Sequence, residues 1–364
     1  MYSIALLAGA RPNYMKIYPL WREIHEQYVD RLAPAIIHTG QHYDPLMNDV
    51  FFRDLGMPAP DFFLGIGSGP HGRQTGRTMI AMEELLEKER PDLLVVVGDV
   101  NSTLAGTLVA VKMGIPVAHI EAGLRSGDRT MPEEINRLAT DAVAQLLFTP
   151  SRDADANLLR EGVAPHKIHF VGNVMIDSLV RLLPKAQERP ILKTMGVDKG
   201  SYAAVTLHRP ANVDDPSHLL HIMRALEEVA AERSVVFPIH PRTRNVLAAM
   251  SYASSQPGLR ICDPLGYLDF LCLESNAALV ITDSGGVQEE TTYLGIPCLT
   301  LRPNTERPIT ISQGTNRLLD PRAENLALAA QAAIRRRSSI PAIEFWDGSS
   351  APRIVRTLLD FVQS

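Results

Sequence analysis

The chain has 364 residues, 45% of them apolar and 21% charged, ordinary globular values that exclude a disordered chain, a collagen and a coiled coil. The 36 Lys and Arg against 41 Asp and Glu leave a formal charge of −5, which argues against a protein that coats nucleic acid or another polyanion. At this length about two domains are expected.

The three cysteines, Cys262, Cys272 and Cys298, are odd in number and form no C-x-x-C pair. That pattern reads as inert thiols in a reducing cytosol rather than a disulfide framework. The opening MYSIALLAGARP lacks a basic stretch before its apolar run, so it reads as a first strand and not as a signal peptide. No apolar run reaches the roughly 18 residues of a membrane span. A cytoplasmic protein is expected.

Short apolar runs alternate with amphipathic segments. The predicted strands of the first half are Ile4–Ala8, Ala35–Thr39, Leu93–Val97, Val117–Ile120, Leu146–Thr149 and Ile168–Val171. Helical patterns lie near Tyr14–Gln27, Gln74–Lys88, Ser102–Met113, Glu133–Ala144 and Asp153–Arg160. Strands alternating with helices imply βαβ units and a parallel sheet. The polar segment Leu183–Ser201 then reads as a linker, dividing the chain into domains 1–185 and 186–364. Beyond it come predicted strands Tyr202–Leu207, Ser234–Ile239, Leu259–Cys262, Ala278–Thr282 and Cys298–Thr300. Helical patterns near His218–Ala231, Asp269–Glu274, Val287–Leu294 and Ala323–Ile334 separate them. The final amphipathic segment, Ala351–Val362, is expected to pack back onto the first domain. Two doubly wound domains with a cleft between them are therefore expected.

In such sheets ligands bind beyond the carboxyl ends of the strands, and there the sequence is rich in polar residues. Gly9-Ala10-Arg11-Pro12 follows the first strand and leads into a segment with Lys16; a glycine turn opening a helix offers N–H groups to an anion. Asp99 and Glu121 follow two neighbouring strands, and Glu133 lies further along the same edge. Clustered carboxylates raise one another's pKa, so that one serves as acid and another as base. His208 is expected to face them from the second domain. Ser284-Gly285-Gly286, between a strand and a helix, is suited to a phosphate, with Glu290 one turn on for a ribose diol. Arg11 and Arg209 would add charge from either side. Together these features suggest a nucleoside diphosphate site.

Each residue has a plainer reading. An Asp after a strand is often a helix cap, and Glu134 reads as a first-turn helix charge. His25, His166, His169, His218 and His221 read as structural. Gly67-Ser68-Gly69-Pro70-His71-Gly72 matches G-x-G-x-x-G but does not clearly sit between a strand and a helix, and Pro70 lacks a donor, so it reads as a decoy. No Walker loop, nucleophile elbow or metal-ligand spacing is present.

The ordered set GARPNYMKIYPL, TGQHYD, VVGDVNST, HIEAGLRSGDRTMPEEINR, VGNVMIDSL, TLHRPANVDD, PIHPRTR, TDSGGVQEE and LRPNTERPIT resembles the non-hydrolysing UDP-N-acetylglucosamine 2-epimerases, from Gly9 to about Asn316. The resemblance implies an α/β, GT-B-like fold of two Rossmann-like doubly wound domains around an interdomain active-site cleft. It implies a homodimer without cofactor or metal that interconverts UDP-GlcNAc and UDP-ManNAc. The implied route removes the C2 proton, expels UDP anti to it to give 2-acetamidoglucal, and adds UDP back with the proton on the other face. Matched by motif, Asp99, Glu121, Glu133 and His208 are the catalytic set. Arg11, Lys16, Arg209, His240, Ser284, Gly285, Gly286 and Glu290 are the substrate-binding set. Gln41, His42, Arg73 and Gln74, together with His240, fall where some bacterial members hold a second, activating UDP-GlcNAc.

Two departures bear on this. The segment after Glu121 is short, and Ala211 stands where a glutamate is common. Both bear on the second site and on the sugar. The rival expectations are a 2-epimerase of a modified UDP sugar (a uronate or a 2,3-diacetamido sugar), a hydrolysing 2-epimerase and a GT-B glycosyltransferase.

Overall fold

The computed structural model describes residues 1–41, 55–336 and 342–364. The chain forms two compact units, Met1–Arg181 with Glu344–Ser364, and Leu182–Ile343.

The first unit is built on a parallel sheet of β1 (Tyr2–Ala8), β2 (Leu32–His38), β3 (Phe62–Phe63), β4 (Leu93–Val97), β5 (Val117–Ile120), β6 (Leu146–Thr149) and β7 (Ile168–Phe170). Their spatial order is β3-β2-β1-β4-β5-β6-β7. Every residue of β4 and β5 is buried, as continuous apolar strands covered on both faces require. The connecting helices are α1 (Arg11–Gln27), α2 (His71–Glu89), α3 (Asn101–Lys112), α4 (Pro132–Val143) and α5 (Arg152–Arg160). One core cluster joins Leu7, Leu94, Val96 and Val117 to Met82, Leu86 and Val109 of the covering helices.

α6 (Val174–Gln187) carries the chain across the unit boundary. The second unit begins with α7 (Ile191–Met195) and β8 (Tyr202–Thr206). It continues with α8 (Pro210–Val213), α9 (Pro216–Glu232), β9 (Ser234–Pro238), α10 (Pro241–Ala249), β10 (Leu259–Cys262) and α11 (Tyr267–Ser275). Then follow β11 (Leu279–Thr282), α12 (Gly285–Leu294), β12 (Cys298–Thr300), α13 (Ile309–Ser312), β13 (Asn316–Leu318) and α14 (Leu326–Arg335). Its parallel sheet has the order β10-β9-β8-β11-β12-β13. Both sheets thus reverse direction once, at β1/β4 and at β8/β11. A crevice opens at the carboxyl ends of such a strand pair.

The units differ from the expected division at 185/186. The polar stretch expected as a linker holds all of α7 and the end of α6, and Ala186, Ile191 and Val197 within it are buried. Residues Glu344–Ser364 belong to the first unit, not to the second. There α15 (Ser350–Gln363) turns Ile354, Val355, Leu358 and Leu359 inward and packs on α1. Asp177 takes the place of a local cap: its carboxylate accepts the Ser350 and Ala351 N–H groups at 3.1 and 2.6 Å. Trp346 Nε1 donates to the Pro150 carbonyl at 3.0 Å. Several helices also start earlier than their apolar patterns. Pro12, Pro132, Pro216 and Pro241 occupy first-turn positions, where no N–H is needed.

Candidate active site

The polar residues of the first unit gather at the β1/β4 reversal. Lys16, on the second turn of α1, forms a buried ion pair with Glu121, its Nζ donating to Oε2. Glu121 sits in the left-handed region at φ 68°, an uncommon conformation for a residue with a side chain. Gly98, at φ 66°, passes directly beneath this pair; a Cβ there would lie 2.8 Å from Lys16 Nζ. Only glycine fits both the dihedral and the space.

Asp99 is the next residue. Its Oδ2 accepts from Arg137 Nη2 at 2.8 Å and Nε at 3.1 Å. Asn136 donates to the Asp99 carbonyl at 2.9 Å. Asp99 and Glu121 thus each face a cation. Glu133 occupies the first turn of α4, four residues before Arg137, is half-buried, and makes no hydrogen bond or ion pair among the described residues. Glu134 does more than its plain reading. It is 2% exposed, pairs with Arg137, and accepts the N–H groups of Ser126 and Gly127 at 3.0 Å each.

The first loop departs from expectation. The Gly9 and Ala10 amides are not open to an anion: both donate to Asn13 Oδ1, at 3.0 and 2.9 Å. Asn13 competes for them because it sits one turn into α1 and its Nδ2 reaches the Val97 carbonyl. The backbone of Arg11 opens α1.

Gln41 and Gln74 are 5% exposed and belong to an internal network. Gln41 Oε1 accepts from Ser102 Oγ at 2.8 Å. Gln74 bridges the Gly67 carbonyl, at 2.9 Å, and Asn101 Nδ2, at 2.8 Å. Asn136 Nδ2 donates onward to Asn101 Oδ1 at 3.2 Å. Arg73 is exposed on α2, and His42 lies outside the described residues. In the decoy glycine segment, Pro70 is the N-cap of α2.

In the second unit the organising residue is Asp283, fully buried at the end of β11. It accepts the amides of His208 and Arg209 at 3.1 and 2.9 Å and Asn212 Nδ2 at 3.0 Å. Burial would raise its carboxyl, but His208, Asn212 and the Arg209 amide hold it below the usual carboxylate value. Its Oδ1 lies 3.1 Å from His208 Nδ1, which orients the ring. The His208 side chain is half exposed, and Nε2 has no partner among the described residues. Arg209 Nε donates to the Asp283 carbonyl at 3.0 Å.

The serine-glycine turn follows at once. Ser284 N–H is engaged by Thr282 Oγ1 at 3.0 Å, so it is not the free donor expected. Gly285 and Gly286 open α12, where helix geometry leaves amides without an intrahelical acceptor. A Cβ on Gly285 would meet Arg307 Nη1 at 2.6 Å and Glu306 Oε1 at 2.8 Å. Glu306 also binds Arg302 at 2.7 Å and lies 3.9 Å from Arg209.

Glu290 is 3% exposed and faces inward. Tyr267 OH donates to its Oε1 at 2.8 Å, and Glu274 is its carboxyl neighbour. Burial pushes Glu290 up to about 7, against the Tyr267 hydrogen bond that pulls it down. Burial and the Glu290 charge hold Glu274 well above the usual carboxylate range. The expected approach of Glu290 to a ribose thus starts from a carboxyl already engaged with Tyr267. His240 is exposed, and its Nδ1 accepts the Arg242 amide at 3.2 Å as the N-cap of α10.

Residues that sequence reasoning missed are Asn13, Arg137, His119 and Asp283's role as organiser. A polar residue inside the wholly buried strand VAHI was a readable signal for His119. Nothing local announced the others. Among the described residues, no helix is long and apolar enough to cross a membrane.

The family model described as UDP-N-acetylglucosamine 2-epimerase matches residues 24–359. A UDP-N-acetylglucosamine 2-epimerase of Methanocaldococcus jannaschii is 43% identical, over 98% of each chain. A Pseudomonas aeruginosa UDP-2,3-diacetamido-2,3-dideoxy-D-glucuronate 2-epimerase is 39% identical, over 98% of this chain and 99% of that one. The crystal structure of the M. jannaschii UDP-GlcNAc 2-epimerase in complex with UDP-GlcNAc and UDP superposes with a TM-score of 0.89, at 42% identity over 98% of this chain and 99% of that one. The fold is α/β and GT-B-like, with two parallel-sheet domains. On this similarity along its whole length, the chain belongs to the UDP-N-acetylglucosamine 2-epimerase family.

Proposed function

We propose that this enzyme interconverts UDP-GlcNAc and UDP-ManNAc without net hydrolysis. The observation that carries the reading is the edge of the first sheet, where Asp99 and Glu121 follow the adjacent strands β4 and β5, each held by its own cation. Proton transfer off and onto one carbon from opposite faces needs two such positioned groups. A base among Asp99, Glu121 and Glu133 takes the C2 proton. The C–H electron pair forms the C1=C2 bond while the C1–O bond breaks and its electrons leave with UDP. Return of UDP to C1 with a proton delivered to the other face of C2 gives the epimer, so atoms and charge balance over the cycle.

The amides of Gly285 and Gly286, with Arg209 and Arg11, would stabilise UDP as it leaves. His208, oriented by Asp283, presents Nε2 as a further proton-transfer or hydrogen-bonding group. Lys16 keeps Glu121 in place rather than binding phosphate in this reading, because the two are already paired. Glu290 would meet the ribose by exchanging its bond with Tyr267. Gln41, Gln74, Arg73 and His42 as a second sugar-nucleotide site, a homodimer and a cytoplasmic location belong to the same reading. No cofactor is invoked.

Proton NMR with UDP-GlcNAc in D2O tests it. UDP-ManNAc with deuterium at C2 and no build-up of UDP is the expected result. Free UDP and ManNAc would instead assign a hydrolysing enzyme. A second reading, epimerisation of a UDP-2,3-diacetamido uronate, is favoured by the 39% identical P. aeruginosa relative. The same assay with that sugar decides between them.

A further inference from the structure

His119 is the third residue of β5, and none of its surface is exposed. Both ring nitrogens nevertheless face oxygen. Nε2 lies 2.8 Å from the Gly98 carbonyl, and Nδ1 lies 2.6 Å from Asp141 Oδ1. A carbonyl oxygen only accepts, so Nε2 carries a hydrogen. Asp141, on α4, accepts the Gly123 amide at 3.0 Å and pairs with Arg125 at 2.8 Å through its other oxygen. Burial would raise this carboxyl, but His119, Arg125 and the Gly123 amide hold it below the ordinary value. It is an acceptor too, so Nδ1 also donates. Arg125 is closed on its far side by Glu161, through Nε at 2.8 Å and Nη2 at 2.6 Å.

The result is a chain of alternating charge that runs inward from exposed Glu161, with the doubly donating ring of His119 at its buried end. That end touches the catalytic turns. Gly98 is bonded on both sides, its carbonyl by His119 and its amide to the Ile120 carbonyl at 3.0 Å. Asp99 comes next in the chain. Two residues beyond His119 itself stands Glu121, in its left-handed conformation. One ring thus ties together the two turns that carry the two carboxylates. Buried ionic groups are weak contributors to stability compared with apolar residues of similar volume, and the neighbours of His119 in β5 are all apolar.

We propose that His119 is a positioning residue for the reaction: its Nε2–H fixes the Gly98 peptide, and with it the spacing of Asp99 and Glu121, while Asp141 and Arg125 fix the ring. The catalytic part rests on the epimerase reading above; the hydrogen-bonding part does not.

Two variants separate this from a merely structural role. In His119→Gln the carboxamide reaches the position of Nε2 and can still donate to Gly98. In His119→Asn it reaches only the position of Nδ1. The expected result is a kcat for H119Q within about tenfold of the parent and for H119N lower by about 100-fold or more, with KM changed by less than about threefold in both. Their unfolding midpoints should fall together. Activity that follows the midpoint, or H119N as active as H119Q, would overturn the proposal. Nitrogen-15 NMR of the histidine-labelled enzyme reads the ring without reference to turnover. Nε2 should carry a hydrogen, and a bare Nε2 would overturn the clamp. Should the parent act on no UDP sugar, the epimerase reading fails while the ring measurement still decides the hydrogen bonding.

Discussion

Lys16 and Glu121 join α1 to the turn after β5 through an ion pair with side chains only 9% and 4% exposed. Gly98 lies against the pair, where an added Cβ would come within 2.8 Å of Lys16 Nζ and 3.3 Å of Glu121 Oε2. Removing one partner of a buried pair leaves the other charge in a poor solvent. Lys16→Met should therefore cost about 3 kcal/mol of stability and a large part of kcat. Chemical denaturation and initial rates measure the two; a variant with parental stability would show that the pair is solvated.

Asp99→Asn, Glu121→Gln, Glu133→Gln and His208→Ala should each lower turnover by about 100-fold or more. UDP binding, measured by calorimetry, should change little in all four. A variant that keeps near-full activity removes its residue from the catalytic set. Glu133 is the sharpest case, because it has no ion pair or hydrogen bond among the described residues whose loss could disturb the fold.

Asp283→Asn tests the second unit. The carboxylate serves the His208 amide, the Arg209 amide, Asn212 and the His208 ring together. A carboxamide has one acceptor oxygen and places a donor against the others. We expect kcat to fall by about 100-fold while the Arg209 side chain, held by the residue-283 carbonyl, keeps its place. Solvent deuterium exchange at C2 should fall in step with kcat.

Gly285→Ala should weaken UDP binding by about tenfold, or about 1.4 kcal/mol. The added methyl would meet Arg307 and Glu306, whose ends must move away from the turn. Both are buried and ion-paired, so the unfolding midpoint should fall as well. Unchanged UDP affinity would show that this turn does not face the phosphates.

His38 gives stability a pH dependence. The ring is 1% exposed and its Nδ1 accepts the Gly40 amide at 2.6 Å. Burial pushes its pKa down to about 4. The unfolded chain takes up a proton near pH 6.5, whereas the folded one resists until about 4, so stability is lost as pH falls through that window, by about 3 kcal/mol if the whole shift counts. Asp177 acts with the opposite sign, since burial raises it to about 6 and protonation there favours the folded state. His38→Asn should flatten the loss between pH 6.5 and 4 relative to the parent. Parallel curves would refute the assignment.

Period and composition determined the two parallel sheets, because a buried strand such as LLVVV must be apolar on both faces. They also placed Asp99, Glu121, His208 and Ser284 after strand ends, since chain order alone puts them there. Local sequence could not show which N–H groups were already engaged. Asn13 takes two amides of the first loop, and Thr282 takes that of Ser284. Nor could it show that Arg137 and Lys16 would reach residues 38 and 105 positions away. Such partners are chosen by sheet order, which brings β1, β4 and β5 side by side. The same holds for the final helix. Its apolar stripe was legible, but its place on α1 was decided by tertiary packing, with Asp177 making the capping bonds that the N-cap Ser349 side chain does not.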